Sequence, residues 1–126
     1  MRKILIIEDE PEILTILAMA LENDGEFQAL TARGGREGLH VAQSERPDVI
    51  LADVLMPGMD GYEVCRRVKA DPELRHIPIV LLSAQAEHKA QEMTREAGAC
   101  ACLGKPFDPM GLSGRIKAII DEATPA

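Results

Sequence analysis

A chain of 126 residues is long enough to bury one core without disulfide or metal staples, so the length implies a single domain. Its formal net charge of −7 gives a surface that repels phosphate backbones. Phe27, Tyr62 and Phe107 are the only aromatics and offer no stacking platform for bases, so composition argues against direct nucleic-acid binding. Three cysteines cannot all pair internally, and Cys65, Cys100 and Cys102 show neither CxxC spacing nor a histidine at metal-ligand spacing. Free thiols fit a reducing compartment and predict a cytoplasmic protein.

The N-terminus is basic and then apolar over residues 4–7, which predicts a central strand. Glu8-Asp9-Glu10 cuts that run short, leaving it too brief for a secretion signal or a membrane span. Pro11 suits the first position of a helix, and the acids before it suit the positive helix start. Ile13, Leu14, Leu17, Ala20 and Leu21 then recur at helical spacing until Asn23-Asp24-Gly25 stops the pattern. Residues 27–31 read as a less apolar strand nearer an edge. Gly34-Gly35 leads into a second helix to about Glu45 with Leu39, Val41 and Ala42 inward; without GxGxxG spacing, these glycines indicate a tight turn rather than a dinucleotide site.

Residues 48–52 form a third apolar run, closed by Asp53 and followed by the loop Met56-Pro57-Gly58-Met59-Asp60-Gly61. Asp60 is placed to cap a helix carrying Tyr62, Val64, Cys65, Val68 and Lys69, which Asp71-Pro72 terminates. A fourth strand is predicted over 77–82, closed by Ser83, and a helix over 84–97 with the small inward set Ala86, Ala90, Met93 and Ala97. Gly98 ends that helix. The fifth strand is predicted over 99–103, with Cys100 and Cys102 on one face. A last helix opens at Pro109 with Leu112, Ile116, Ile119 and Ile120 inward, weakened by Gly111 and Gly114 at about 1 kcal/mol each. His40, His76 and His88 read as solvated surface residues, and the methionines as core or loop packing.

Five strands alternating with five helices imply an α/β doubly wound parallel sheet with helices on both faces. Ligands of such sheets sit beyond the carboxyl ends of the strands. Those ends carry Glu8 and Asp9, Asp53, Ser83 and Lys105. Three carboxylates in one pocket repel one another, and a hard divalent cation removes the conflict. Mg²⁺, or Mn²⁺, takes such oxygen ligands together with a phosphate. Lys105 adds a point charge for a phosphoryl oxygen and Ser83 a hydroxyl donor. Asp53 is then a carboxylate nucleophile for an acyl-phosphate intermediate.

These residues resemble a response-regulator receiver domain of two-component signalling over about residues 3–122. Glu8-Asp9, Asp53 with the Met56–Gly61 loop, Ser83-Ala84 and Lys105-Pro106-Phe107 carry the resemblance. It implies the flavodoxin-like strand order 2-1-3-4-5 and one receiver domain over 1–126, with a frayed tail at 123–126. It further implies Asp53 as phosphoacceptor from a sensor histidine kinase or histidine phosphotransfer protein in a phosphorelay. Asp9, Asp53 and the Leu55 backbone carbonyl would ligate the metal, Glu8 would act through water, Ser83 would be the switch hydroxyl and Lys105 the phosphoryl-binding lysine. The Lys105–Pro106 bond would be cis. Gln85, unlike Leu55, could orient a hydrolytic water. The output would be a downstream protein, a covalently linked domain or a phosphorylation-dependent dimer, with no membrane partner and no catalysis on outside substrates.

Two alternatives stand beside it: an Asp-nucleophile phosphatase of the haloacid-dehalogenase type, opposed by Leu55 where such enzymes carry a second Asp, and an unphosphorylated scaffold, opposed by the intact acids, Ser83 and Lys105. The chain departs from the family pattern at Glu8, where many members have Asp. It departs again at Cys102, where an aromatic ring usually turns with the switch hydroxyl, and at Cys100 and Ala101, commonly acidic. Without that ring, the loop 83–87 and the thinly apolar helix after it become the expected carriers of the signal.

Overall fold

The structure, a computed structural model, describes residues 1–84, 88–105 and 107–123. Strands β1 (Arg2–Ile7), β2 (Phe27–Ala32), β3 (Val49–Asp53), β4 (Ile79–Ser83) and β5 (Ala101–Gly104) alternate with helices α1 (Pro11–Glu22), α2 (Gly35–Glu45), α3 (Gly61–Ala70), α4 (His88–Ala97) and α5 (Leu112–Ala123). The strands form one parallel sheet in the order β2-β1-β3-β4-β5. This is the doubly wound, flavodoxin-like arrangement expected.

Unbroken apolar runs in β1, β3 and β4 follow from burial of both sheet faces. Alternate residues point to opposite sides. Leu5, Ile7, Ile50, Ala52, Ile79 and Leu81 pack under α2, α3 and α4 with Val64, Cys65 and Val68. Ile4, Ile6, Leu51, Val80 and Leu82 pack under α1 and α5 with Leu14, Leu17, Leu21, Ile116 and Ile120. Edge strand β2 is correspondingly less buried, as its composition predicts.

Helix starts follow local chemistry. Pro11 stands at the first position of α1. Asp60 caps α3, its Oδ1 accepting from the Glu63 N–H at 2.8 Å. Gly38 lets α2 lie directly on Ile7, with no room for a β-carbon.

Several expected boundaries move. β4 begins at Ile79, not 77, because Pro78 has no N–H for the ladder and the Ile77 N–H closes a turn onto the Leu74 carbonyl at 2.9 Å. β3 extends through Asp53, which is therefore a strand residue. β5 starts at Ala101, so Cys100 lies outside the strand and exposed while Cys102 is buried; the two do not share a face of β5. Pro109-Met110-Gly111 is a turn, and α5 starts at Leu112; Gly111 therefore costs the helix nothing and only Gly114 stands inside it. α4 is described over His88–Ala97; of the expected span 84–97, Ala84 is a bend, and Gln85, Ala86 and Glu87 lie outside the described residues. So do residues 124–126 of the expected tail, whereas Ala123 ends α5. No helix among the described residues is long and apolar enough to cross a membrane.

Candidate functional site

Parallel pairing aligns the strand ends. Ile7 pairs with Ala52, Asp53 with Leu82, and Ser83 with Gly104. The residues that follow therefore leave the sheet side by side. The Glu8 N–H still bonds the Ala32 carbonyl at 3.1 Å, and the Lys105 N–H bonds the Ser83 carbonyl at 2.9 Å. Backbone pairing thus holds the first residues beyond the strands before any side chain contributes.

The side chains then converge. Carboxylate oxygens of Glu8, Asp9 and Asp53 lie within 4.8 Å of one another. The Lys105 Nζ donates to Asp53 Oδ2 at 3.1 Å and to Glu8 Oε1 at 3.4 Å. Glu8 is fully buried and Asp53 is 5% exposed, while Asp9 is half-buried at the rim. The other Glu8 oxygen accepts from the Glu10 N–H at 3.3 Å.

The electrostatics follow from that crowding. Burial, and next the charge of Asp53, push the Glu8 carboxyl up to about 7. Burial opposes the charge on Lys105, but the hydrogen bond and charge of Asp53, joined by Glu8, outweigh it and hold the amine above its ordinary value. The cluster concentrates negative charge around a single ammonium, and its all-oxygen donor set fits a hard divalent cation.

Ser83 is buried at the end of β4, one step beyond the residue paired with Asp53. Leu55 presents its side chain to solvent, 74% exposed, and no N–H among the described residues donates to its carbonyl. The loop between β3 and α3 is tightly built. Gly58 has φ +80°, and Gly61 donates to the Val54 carbonyl at 3.0 Å. A β-carbon on Gly61 would stand 2.5 Å from the Asp53 carbonyl oxygen. Met56 is buried below, and Met59 packs on Gly35.

Glu8, Asp9, Asp53 and Lys105 are thus brought together as the strand-end reasoning predicts, with Ser83 beside them. The cis Lys105–Pro106 bond and Gln85 fall on residues outside those described. Sequence reasoning missed Thr94, which is 4% exposed on α4. Its spacing, four after Ala90 and three before Ala97, was the available signal.

Comparison with known proteins agrees with this geometry. The response regulator receiver domain family matches residues 4–117. The chain is 38% identical over 119 residues to the alkaline phosphatase synthesis transcriptional regulatory protein PhoP of Bacillus subtilis, spanning 94% of this chain and 48% of PhoP. It is 38% identical over 117 residues to the response regulator PleD of Caulobacter vibrioides, spanning 93% of this chain and 26% of PleD. The chain thus spans half or less of these relatives. The chemotaxis protein CheY4 of Vibrio cholerae superposes with a TM-score of 0.88 at 32% identity, covering 94% of this chain and 98% of that one. Strand order, strand-end acids, lysine and matched span agree, and the chain belongs to the response regulator receiver domain family.

Proposed function

We propose that Asp53 accepts a phosphoryl group from a phosphohistidine of a sensor kinase or histidine phosphotransfer protein, and that the acyl phosphate switches a protein-binding surface. The observation that carries this reading is the part-buried contact of the Lys105 amine with Asp53 at 3.1 Å beside the acids Glu8 and Asp9. In the transfer, an Asp53 oxygen forms the new bond to phosphorus. The phosphorus–nitrogen bond to the donor imidazole breaks, and its electron pair stays with the imidazole.

Asp9, Asp53 and the Leu55 carbonyl would hold Mg²⁺ or Mn²⁺, with Glu8 acting through water. The ion supplies charge neutralisation to the transferring group. Lys105 binds a phosphoryl oxygen and holds its positive charge in place. Ser83 offers its hydroxyl to another oxygen. Burial around Asp53 limits the water that competes for these contacts. Catalysis is confined to the chain's own phosphorylation and dephosphorylation. No carboxylate stands two residues after Asp53, where a phosphatase of the dehalogenase type would place its acid; Leu55 does.

Residues 1–126 act as one receiver module in this reading, and the output is a downstream protein, a linked domain or a dimer formed on phosphorylation. Incubation with Mg²⁺ and acetyl phosphate or a phosphoramidate, followed by intact mass, tests the chemistry. One phosphoryl adduct is expected, and none on Asp53→Ala. Absence of the adduct from the unaltered protein rejects the reading.

A further inference from the structure

The sheet ends in two open edges, β2 and β5. β5 is four residues long, whereas β2 runs for six, the usual length of a strand. The β2 segment Phe27-Gln28-Ala29-Leu30-Thr31-Ala32 holds no charge, no proline and no glycine. An uncharged run of that kind on an edge is a template for pairing with another chain. β2 therefore lacks, within itself, the charged side chains and prolines that blunt such edges.

Backbone direction decides which groups β2 offers. The Glu26 and Ala32 carbonyls face β1, accepting from the Arg2 N–H at 3.3 Å and the Glu8 N–H at 3.1 Å. A strand backbone alternates with a period of two, so Gln28 and Leu30 face β1 as well. Phe27, Ala29, Thr31 and, just past the strand, Arg33 turn their N–H groups outward. Two of these are taken by carboxylates: the Ala29 N–H donates to Glu22 Oε2 at 3.0 Å, and the Arg33 N–H to Glu37 Oε2 at 2.9 Å. Glu22 comes from the end of α1 and Glu37 from the first turn of α2, and these helices lie on opposite faces of the sheet. The edge is thus covered from both sides.

Helix stability does not account for Glu22. It is the last residue of α1, whose final turn holds no basic residue. A negative charge there opposes the helix dipole by about 0.3–1 kcal/mol. Its partner Ala29 stands seven residues on and comes within reach only because β2 returns alongside α1. Glu37 suits a helix start in any case, yet its oxygen is spent on the edge N–H rather than on a group inside α2.

We propose that Glu22 and Glu37 are covers that keep the β2 edge closed to a second copy of this chain. Without them, two copies join through β2, antiparallel about a two-fold axis, into one continuous sheet. This goes beyond the phosphoryl reading and stands without it.

Sedimentation velocity of the unphosphorylated chain over a concentration series is the test. The unaltered protein is expected to stay monomeric, as is Glu22→Gln with Glu37→Gln, which keeps an acceptor oxygen on each side chain. Glu22→Ala with Glu37→Ala is expected to rise about twofold in mass as concentration increases. Amide exchange locates the contact: the outward Thr31 N–H is expected to become protected only in the associated form. Adding Ala29→Pro removes the outward N–H at the middle of the edge, where an edge strand tolerates proline, and is expected to restore the monomer. Glu22→Ala alone leaves the start of α2 untouched and is expected to show the same shift at a higher concentration; it decides the matter if the paired alanine variant does not fold. A folded alanine variant that stays monomeric overturns the proposal. So does association that survives Ala29→Pro, or equal association of the glutamine pair.

Discussion

Glu8 is the residue at which burial and charge conflict most. Its carboxyl titrates near 7 in the folded chain against an ordinary value of 4.5, so folding favours the protonated form. A raised acid contributes stability that is complete below pH 4.5 and lost as pH rises to about 7. Without divalent metal, the protein is expected to lose up to about 3 kcal/mol over that window from this group. Glu8→Gln should remove that slope in denaturant melts at stepped pH and be the more stable protein at pH 8. A slope of equal size in Glu8→Gln assigns the dependence elsewhere. Lys105→Met, which leaves Asp53 and Glu8 without their ammonium, should slow the gain of the phosphoryl adduct and lower stability by about 1–3 kcal/mol; a rate equal to that of the unaltered chain would deny Lys105 its role. The acids, Ser83 and Lys105 were legible at this scale because each stands one or two residues after an apolar run, so knowing where strands end sufficed to bring them together, while their roles came from family resemblance. Thr94 was not legible in that way. A threonine inside a helix carries no sign that it will be buried, and its hydroxyl is satisfied by the Ala90 carbonyl one turn back.

Among elements, the loop that joins β3 to α3 is held by contact between backbones. Gly61→Ala would drive a β-carbon into the Asp53 carbonyl, where no rotamer change gives relief. The expected cost is about 3 kcal/mol, at the upper end for overpacking and only partly offset by better helix propensity. Gly38→Ala meets the flexible end of the Ile7 side chain, and about 1–2 kcal/mol is expected. Chemical denaturation of both variants checks this order, and a reversed ranking would mean that the β3–α3 loop is not rigid. Element type was readable from apolar periodicity throughout. Element ends were not, wherever proline intervened. Pro78 and Pro109 lie in apolar surroundings that extend the period, but a missing N–H at Pro78 and the turn at 109–111 delay β4 and α5. At Cys100 the error came from counting alternation across a residue that precedes the strand.

For the whole molecule, metal bound at the acidic cluster as proposed would tie stability to divalent cation. An ion bound only by the folded chain stabilises it by about 2.7 kcal/mol at 100 times its dissociation constant. That corresponds to a rise in melting temperature on the order of 10 °C for a chain of this size. Asp9→Asn should abolish the rise while leaving the metal-free protein no less stable, since it removes one of three mutually repelling charges. A magnesium-dependent shift that survives in Asp9→Asn would place the ion elsewhere. Strand order was the global feature least accessible to periodicity. It followed from family resemblance, because runs of buried strand residues state that neighbours exist and leave open which ones.

The sheet also acts as a partition. Every central strand residue faces either the α1/α5 side or the α2/α3/α4 side, so the interior is two compartments sharing a wall. Energies of Leu17→Ala and Val68→Ala, one from each compartment, should add within about 0.5 kcal/mol in a double-mutant cycle. Such independence leaves one outer layer free to drift in sequence while the other stays unchanged, with the chemistry at the shared rim undisturbed.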